Sequence, residues 1–278
     1  MLYIFFYHER GSNVMEKLFT SAKEALSQPV TQQELDNLSQ VQSNTYKDIV
    51  VLDVDEIIVN ITPKWVYKIY QHKEDFTEFF DLSQPYDPSK EQDALRVLYR
   101  NNYYLDHWLL KDEINPATIH RPTYEKVVEK MIDLYNVDNF YDDLKPTPLV
   151  NGLLSALSKK KQILSKIIII SKVAGEHSEA SKTRFLKETF SSYMDKVDIY
   201  YVDKKEKKSD VLKALPKDEK ERIAAVYEDY NNNIVDLLTN GDLRTVQIFS
   251  PSFRYNLPNT KYLNLLKEYD CQLHRYSY

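Results

Sequence analysis

The chain has 278 residues, enough for one large domain or for a core with an inserted lobe, and its balance of 42% hydrophobic and 28% charged residues is that of an ordinary globular protein. A net charge of −5 argues against broad electrostatic attraction to nucleic acid, although Lys159–Lys161 and Lys204–Lys208 are local basic clusters. One cysteine, Cys271, rules out disulfide staples, and four glycines with no G-x-G-x-x-G or G-K-[ST] rule out Gly-rich phosphate loops.

Met1–Tyr7 is apolar but too short for a signal-peptide core, and no apolar run reaches the roughly 20 residues that span a bilayer. A reducing, cytoplasmic setting without membrane contact is expected. Met15–Leu26 and Gln32–Val41 read as amphipathic helices, so residues 1–45 are expected to form a helical arm. Ile49–Asp53 is the first strong strand, and it ends in two carboxylates, Asp53 and Asp55. Side chains at i and i+2 point the same way, so the two acids can share a divalent cation or divide nucleophilic and proton-transfer roles.

From residue 63 to 145 the pattern turns helical. Apolar and aromatic residues recur at helical spacing (Trp65, Ile69, Tyr70; Leu95, Leu98, Tyr99; Val127, Met131, Tyr135), with turns at Pro85–Pro88 and Asn115-Pro116. This stretch is expected to be an all-helical insert placed after the first strand. Beyond Pro146 helices and strands alternate: helix Leu149–Ser158, strand Lys166–Ser171, helix Ser178–Phe190, strand Val197–Val202, helix Ser209–Leu215, strand Ile223–Tyr227, helix Ile234–Thr239, strand Thr245–Phe249 and helix Tyr262–Tyr269. Such alternation predicts an α/β fold, a Rossmann-like, mostly parallel sheet covered by helices on both faces. Residues 46–62 and 146–278 would form this core.

Four strand ends carry polar groups: Asp53 and Asp55, Ser171, the Lys204–Lys208 cluster, and Glu228 with Asp229. In a parallel sheet these ends converge on one rim. Carboxylates suit Mg²⁺, lysine and hydroxyl donors suit phosphate oxygens, and an aspartate can attack phosphorus.

That order resembles the haloacid dehalogenase-like phosphohydrolases. Asp53-Val54-Asp55 matches their D-x-D motif and Ile167–Ser171 their strand ending in Ser or Thr. Lys208 is the best match to their helix-start lysine, with Lys207 and Lys205 as alternates. Glu228-Asp229-Tyr230-Asn231-Asn232-Asn233-Ile234 is similar to their E-D-x-x-x-N-I variant. The insert lies at the family's first cap position. Asp53–Trp65 and Lys182-Thr183-Arg184-Phe185-Leu186 are similar to the 5′(3′)-deoxyribonucleotidase group. Glu56 stands where most members carry a small residue, although the carboxyl-terminal-domain phosphatases have glutamate there.

The resemblance implies a Mg²⁺-dependent phosphomonoester hydrolase acting through an aspartyl-phosphate, on a small phosphorylated substrate such as a nucleoside monophosphate. Asp53 would be nucleophile and metal ligand. Asp55 would be the acid–base group, touching the metal through its backbone carbonyl. Ser171 and Lys208 would bind the phosphoryl group, and Asp229, with Glu228 nearby, would complete the metal site. Two other readings stay open: an end phosphatase on DNA or RNA, suggested by the lysine clusters, and a catalytically silent binding module, suggested by Glu56 and the amino-terminal helices. The tyrosine-rich composition leaves room for a homodimer. Trp65, Tyr103, Tyr104 and Trp108 are chiefly core by periodicity, with base stacking as a minor alternative, and Arg96, Arg100 and Arg121 are candidates for substrate contacts. His72, His107, His120 and His177 lack metal-ligand spacing.

Overall fold

Successive side chains of a strand face opposite sides of a sheet, and the first strand, β1 (Ile49–Leu52), is apolar on both. It therefore needs helices above and below, and it has them. Our computed structural model describes residues 47–83, 111, 121–158, 163–203, 205–250 and 266–275. The expected arm (1–45), the Lys159–Lys161 cluster, Lys204, Arg96, Arg100, Tyr103, Tyr104, His107, Trp108, His120 and the side chain of Arg121 lie outside the described residues.

After β1 come α1 (Thr62–Gln71), α2 (Arg121–Tyr135), α3 (Pro148–Leu157), β2 (Lys166–Lys172), α4 (Glu176–Thr189) and β3 (Val197–Val202). Then follow α5 (Lys208–Ala214), α6 (Lys217–Glu221), β4 (Ile223–Tyr227), α7 (Asn231–Thr239), β5 (Gln247–Ser250) and β6 (Gln272–Arg275). All strand pairings are parallel, in the order β3-β2-β1-β4-β5-β6. The chain is thus an α/β protein with a Rossmann-like, doubly wound sheet. Its order reverses between β1 and β4, so the crevice at their carboxyl ends is the topological switch point where such sheets hold ligands.

Alternation along the strands divides the core in two. Val50, Leu52, Ile167 and Ile169 pack with α3 and α4 through Leu149, Leu153, Phe185 and Leu186. Ile49, Val51, Ile168 and Ile170 pack with α5 and α7 through Leu212, Ile234, Leu237 and Leu238. Each fully buried Leu or Ile contributes about 1.5–3 kcal/mol, which commits the register of every strand.

Pro63 and Pro148 stand in the first turns of α1 and α3, where a missing N–H costs nothing. The described part of the insert has its own apolar cluster, with Val66 and Ile69 of α1 against Val127 and Met131 of α2 and against Phe76, Phe79 and Phe80. The outgoing and returning connections are stitched together. Thr147 donates its backbone N–H to the Ile58 carbonyl (2.8 Å) and its hydroxyl to the Ile57 carbonyl (2.7 Å), so the insert leaves and re-enters the core at one point beside Asp55.

Among the described residues, four elements were not read from the sequence: the 3₁₀ turns Lys73–Asp75 and Ser191–Lys196, the short α6, and β6, which adds an edge strand after the last expected helix. Of that helix, residues 266–268 are helical and 262–265 lie outside the described residues. No helix among the described residues is long and apolar enough to cross a membrane.

Candidate active site

The site lies at the carboxyl ends of β1, β2 and β4. Asp53 follows β1 and donates its backbone N–H to the Tyr227 carbonyl at 2.9 Å, which ties the two strand ends across the switch point. Glu228 continues from β4 and donates its backbone N–H to the Phe249 carbonyl at 3.1 Å. Carboxylate oxygens of Asp53, Glu228 and Asp229 consequently lie within 4.8 Å of one another. All three residues are nearly excluded from solvent.

Three clustered carboxylates need positive charge. Lys208, the first residue of α5, supplies one ammonium, which pairs with Asp53 Oδ2 at 2.7 Å and Glu228 Oε2 at 2.8 Å. A cation at a helix amino terminus works against the macrodipole, so these anions are what hold it there. Burial alone would lower the Lys208 pKa, but Asp53 and Glu228 outweigh it and raise the value. Of the three lysines open from the sequence, Lys208 is the buried one beside Asp53, whereas Lys205 and Lys207 are exposed. Glu228 is itself occupied, accepting from the Tyr230 N–H (3.1 Å) and Asn233 Nδ2 (3.0 Å). Burial pushes its carboxyl up to about 7, with Lys208 opposing and Asp53 reinforcing the rise.

Asp229 has no lysine or arginine partner among the described residues. Burial raises its pKa well above the carboxylate range, and the charges of Asp53, Glu56 and Asp55 add to the rise. One lysine does not balance these acids. A divalent cation bound by hard oxygen donors fits the residual charge and the donor set.

Asp55 is held by different partners. Its carboxylate accepts from Tyr141 OH on Oδ1 (2.5 Å) and from Tyr135 OH and Lys182 Nζ on Oδ2 (3.0 and 2.9 Å). Lys182, on α4, is fully buried and also donates to Ser171 Oγ (2.9 Å) and to the Lys172 carbonyl (3.0 Å). Three acceptors saturate its three N–H donors, so Lys182 joins Asp55 to Ser171 and has none left for a ligand. Ser171, at the end of β2, accepts from Lys182 and is fully buried, with its own O–H left to donate.

The six strand-end residues expected from the sequence, Asp53, Asp55, Ser171, Lys208, Glu228 and Asp229, thus gather at one sheet rim. Asp53, Glu228, Asp229 and Lys208 form one group, and Asp55 and Ser171 are joined to Lys182 in the other. Lys182, Tyr135 and Tyr141 were not identified as site residues. The one signal was Lys182 in the Lys182–Leu186 stretch similar to the nucleotidase group. Nothing in spacing marks the tyrosines among 22 of their kind. His72 and His177 are exposed, and His177 pairs with Asp138 at 2.8 Å. Trp65 donates its indole N–H to the Met131 carbonyl at 2.7 Å, which fixes it between the helices of the insert.

Glu56 takes a left-handed conformation, φ 59°, which costs a residue with a Cβ on the order of 1 kcal/mol. Its Oε1 offsets this by accepting from the backbone N–H groups of Ile61 (3.1 Å) and Thr62 (2.8 Å) and from the Thr62 hydroxyl (2.7 Å). Glutamate at this position therefore organises the amino terminus of α1. Its Oε2 is buried without a hydrogen-bond partner. Burial pushes the Glu56 pKa up to about 7, Thr62 opposing. The folded value lies above the unfolded one, so the folded state binds the extra proton, and this contribution to stability is lost as pH rises through about 7. Glu56→Gln removes the titration. It is expected to stabilise the protein at pH 8 relative to wild type by on the order of 2 kcal/mol, with the gain vanishing below pH of about 5. Urea midpoints of both proteins across that range measure it, and parallel curves would refute it.

No family model matches the chain, and no curated protein matches it.

Proposed function

We propose that this protein hydrolyses a phosphomonoester, with Asp53 as nucleophile and Asp55 as proton donor, and that it is a member of the haloacid dehalogenase-like phosphohydrolases. The observation that carries the reading is the meeting of Asp53, Asp229, Glu228 and Lys208 at the switch point of a doubly wound sheet, with Asp55 alongside. Asp53 Oδ would attack phosphorus, forming an aspartyl-phosphate as the bond to the leaving oxygen breaks. Asp55 would give that oxygen its proton and then take one from the water that cleaves the acyl-phosphate. Lys208 preorganises positive charge beside the attacking carboxylate, and Ser171 can offer its hydroxyl proton to a phosphoryl oxygen.

Asp53, Asp229 and Glu228 would hold Mg²⁺, with the Asp55 backbone carbonyl as a further donor. When bound, the ion would neutralise charge on the phosphoryl oxygens. Among phosphomonoesters a nucleoside monophosphate is our preferred substrate, on the resemblance of Asp53–Trp65 to the nucleotidase group. Phosphate release from nucleoside monophosphates, sugar phosphates and p-nitrophenyl phosphate, with Mg²⁺ and with chelator, tests the reading. Release that depends on the metal is expected. No release from any ester would overturn it.

A further inference from the structure

Both oxygens of the Asp55 carboxylate are occupied by phenols that come from outside its own element. Tyr135 is the last residue of α2, the final helix of the insert, and Tyr141 lies on the segment that returns from the insert to α3. They approach opposite oxygens, Tyr141 at Oδ1 and Tyr135 at Oδ2, and their own oxygens are 2.7 Å apart. The returning segment is fastened to α4 on either side of this contact. Asn136 Oδ1 accepts the Ser178 backbone N–H at 3.0 Å, and the Tyr141 backbone N–H donates to Ser181 Oγ at 3.0 Å. A Cβ at Gly175 would come within 2.7 Å of the Asn136 amide, so a larger residue there would push that side chain aside.

We infer that Tyr135 and Tyr141 are positioning residues for Asp55, which aim its carboxylate at the leaving oxygen and make that aim depend on where the insert's last helix sits. This inference rests on the phosphohydrolase reading above. A carboxylate held by one donor can rotate about its Cβ–Cγ bond. Held at both oxygens it cannot turn without breaking a hydrogen bond. Proton transfer demands heavy-atom placement within hydrogen-bond reach of the accepting oxygen. Both phenols remain donors throughout the working pH range, because burial and then the Asp55 charge raise their pKa values well above normal. The Asp55 side chain keeps about a quarter of its surface open (23%) while Lys182 beneath it is sealed (0%). The carboxylate is thus gripped from the protein side and open on the other. Since Tyr135 belongs to the insert, displacing α2 withdraws one of the three donors and leaves Oδ2 to Lys182 alone.

The test uses leaving groups of different basicity. An alkyl alkoxide needs a proton as the P–O bond breaks, whereas p-nitrophenolate leaves without one. Tyr135→Phe and Tyr141→Phe keep the rings, which pack with Phe140 and each other, and delete only the donors. Each is expected to lower kcat/KM, which reports the steps up to departure of the leaving group and not the later hydrolysis of the aspartyl-phosphate, by about 10- to 100-fold on the best alkyl phosphomonoester, leaving kcat/KM on p-nitrophenyl phosphate within about threefold of wild type. Melting curves identify which single variants stay native, and the comparison is made on those. Equal losses on both esters, no loss on either, or unfolding of both variants would overturn the positioning role. Wild-type inactivity on both esters would instead overturn the phosphohydrolase reading, and the positioning role with it.

Discussion

Asp53→Asn is expected to remove phosphate release from every ester that the wild type hydrolyses, by about 10³-fold or more, because an amide is a poor nucleophile and the step has no substitute. Asp53 Oδ1 accepts the Val54 N–H at 2.7 Å while Oδ2 meets Lys208. An asparagine has one oxygen for these two donors, so the variant also loses on the order of 1–2 kcal/mol of stability. Removing the Asp53 charge relieves Glu228 and Asp229, whose carboxyl pKa values it helps to raise, and both should fall. The measurement is single-turnover phosphate release beside a urea titration. A variant that folds and still releases phosphate at a tenth of the wild-type rate would remove Asp53 from the chemistry.

The sheet was legible because its strands are short apolar runs, such as Ile167–Ile170, separated by helices of the length a parallel crossover requires. The strand-end acids were legible for a related reason. A carboxylate that interrupts a fully apolar run, as at Asp53 or Glu228, has nowhere to go but the rim. What stayed hidden depends on contacts distant in sequence. Lys182 lies 127 residues from Asp55, on a helix whose exposed face carries Glu176, Glu179, Arg184, Lys187 and Glu188, and burial alone separates it from that charged company. Tyr135 occupies an apolar-face position of its helix where phenylalanine would satisfy the same periodicity, and Tyr141 lies in a connecting segment that has no periodicity, so their hydroxyls leave no trace in the pattern. Strand β6 was missed because Gln272–Arg275 is polar and its place is an edge, where alternation is weak. Glu56 could be seen as a departure, but its left-handed backbone and its role at α1 could not.

The other large effect should come from Lys208. Lys208→Met fills nearly the same volume, yet it leaves Asp53 and Glu228 buried without their shared ammonium. Removing one partner of a buried ionic group costs about 3–5 kcal/mol, far more than the group contributes net, because the remaining charges are neither solvated nor paired. The loss must also depend on pH. With its ammonium in place Glu228 already has a folded-state pKa of about 7, and losing Lys208 raises it further. A carboxyl raised above its unfolded value contributes stability below the unfolded pKa and loses it as pH rises through the folded one. Protonating Glu228 at pH 5.5 thus recovers part of what the substitution takes, whereas at pH 8 the full penalty stands. Lys208→Arg should not restore wild-type stability, since a planar guanidinium is too wide for a slot that admits almost no solvent. Urea midpoints at both pH values, without divalent cations, measure the difference. A loss below about 1 kcal/mol that is the same at both would mean that the lysine does not hold these acids together.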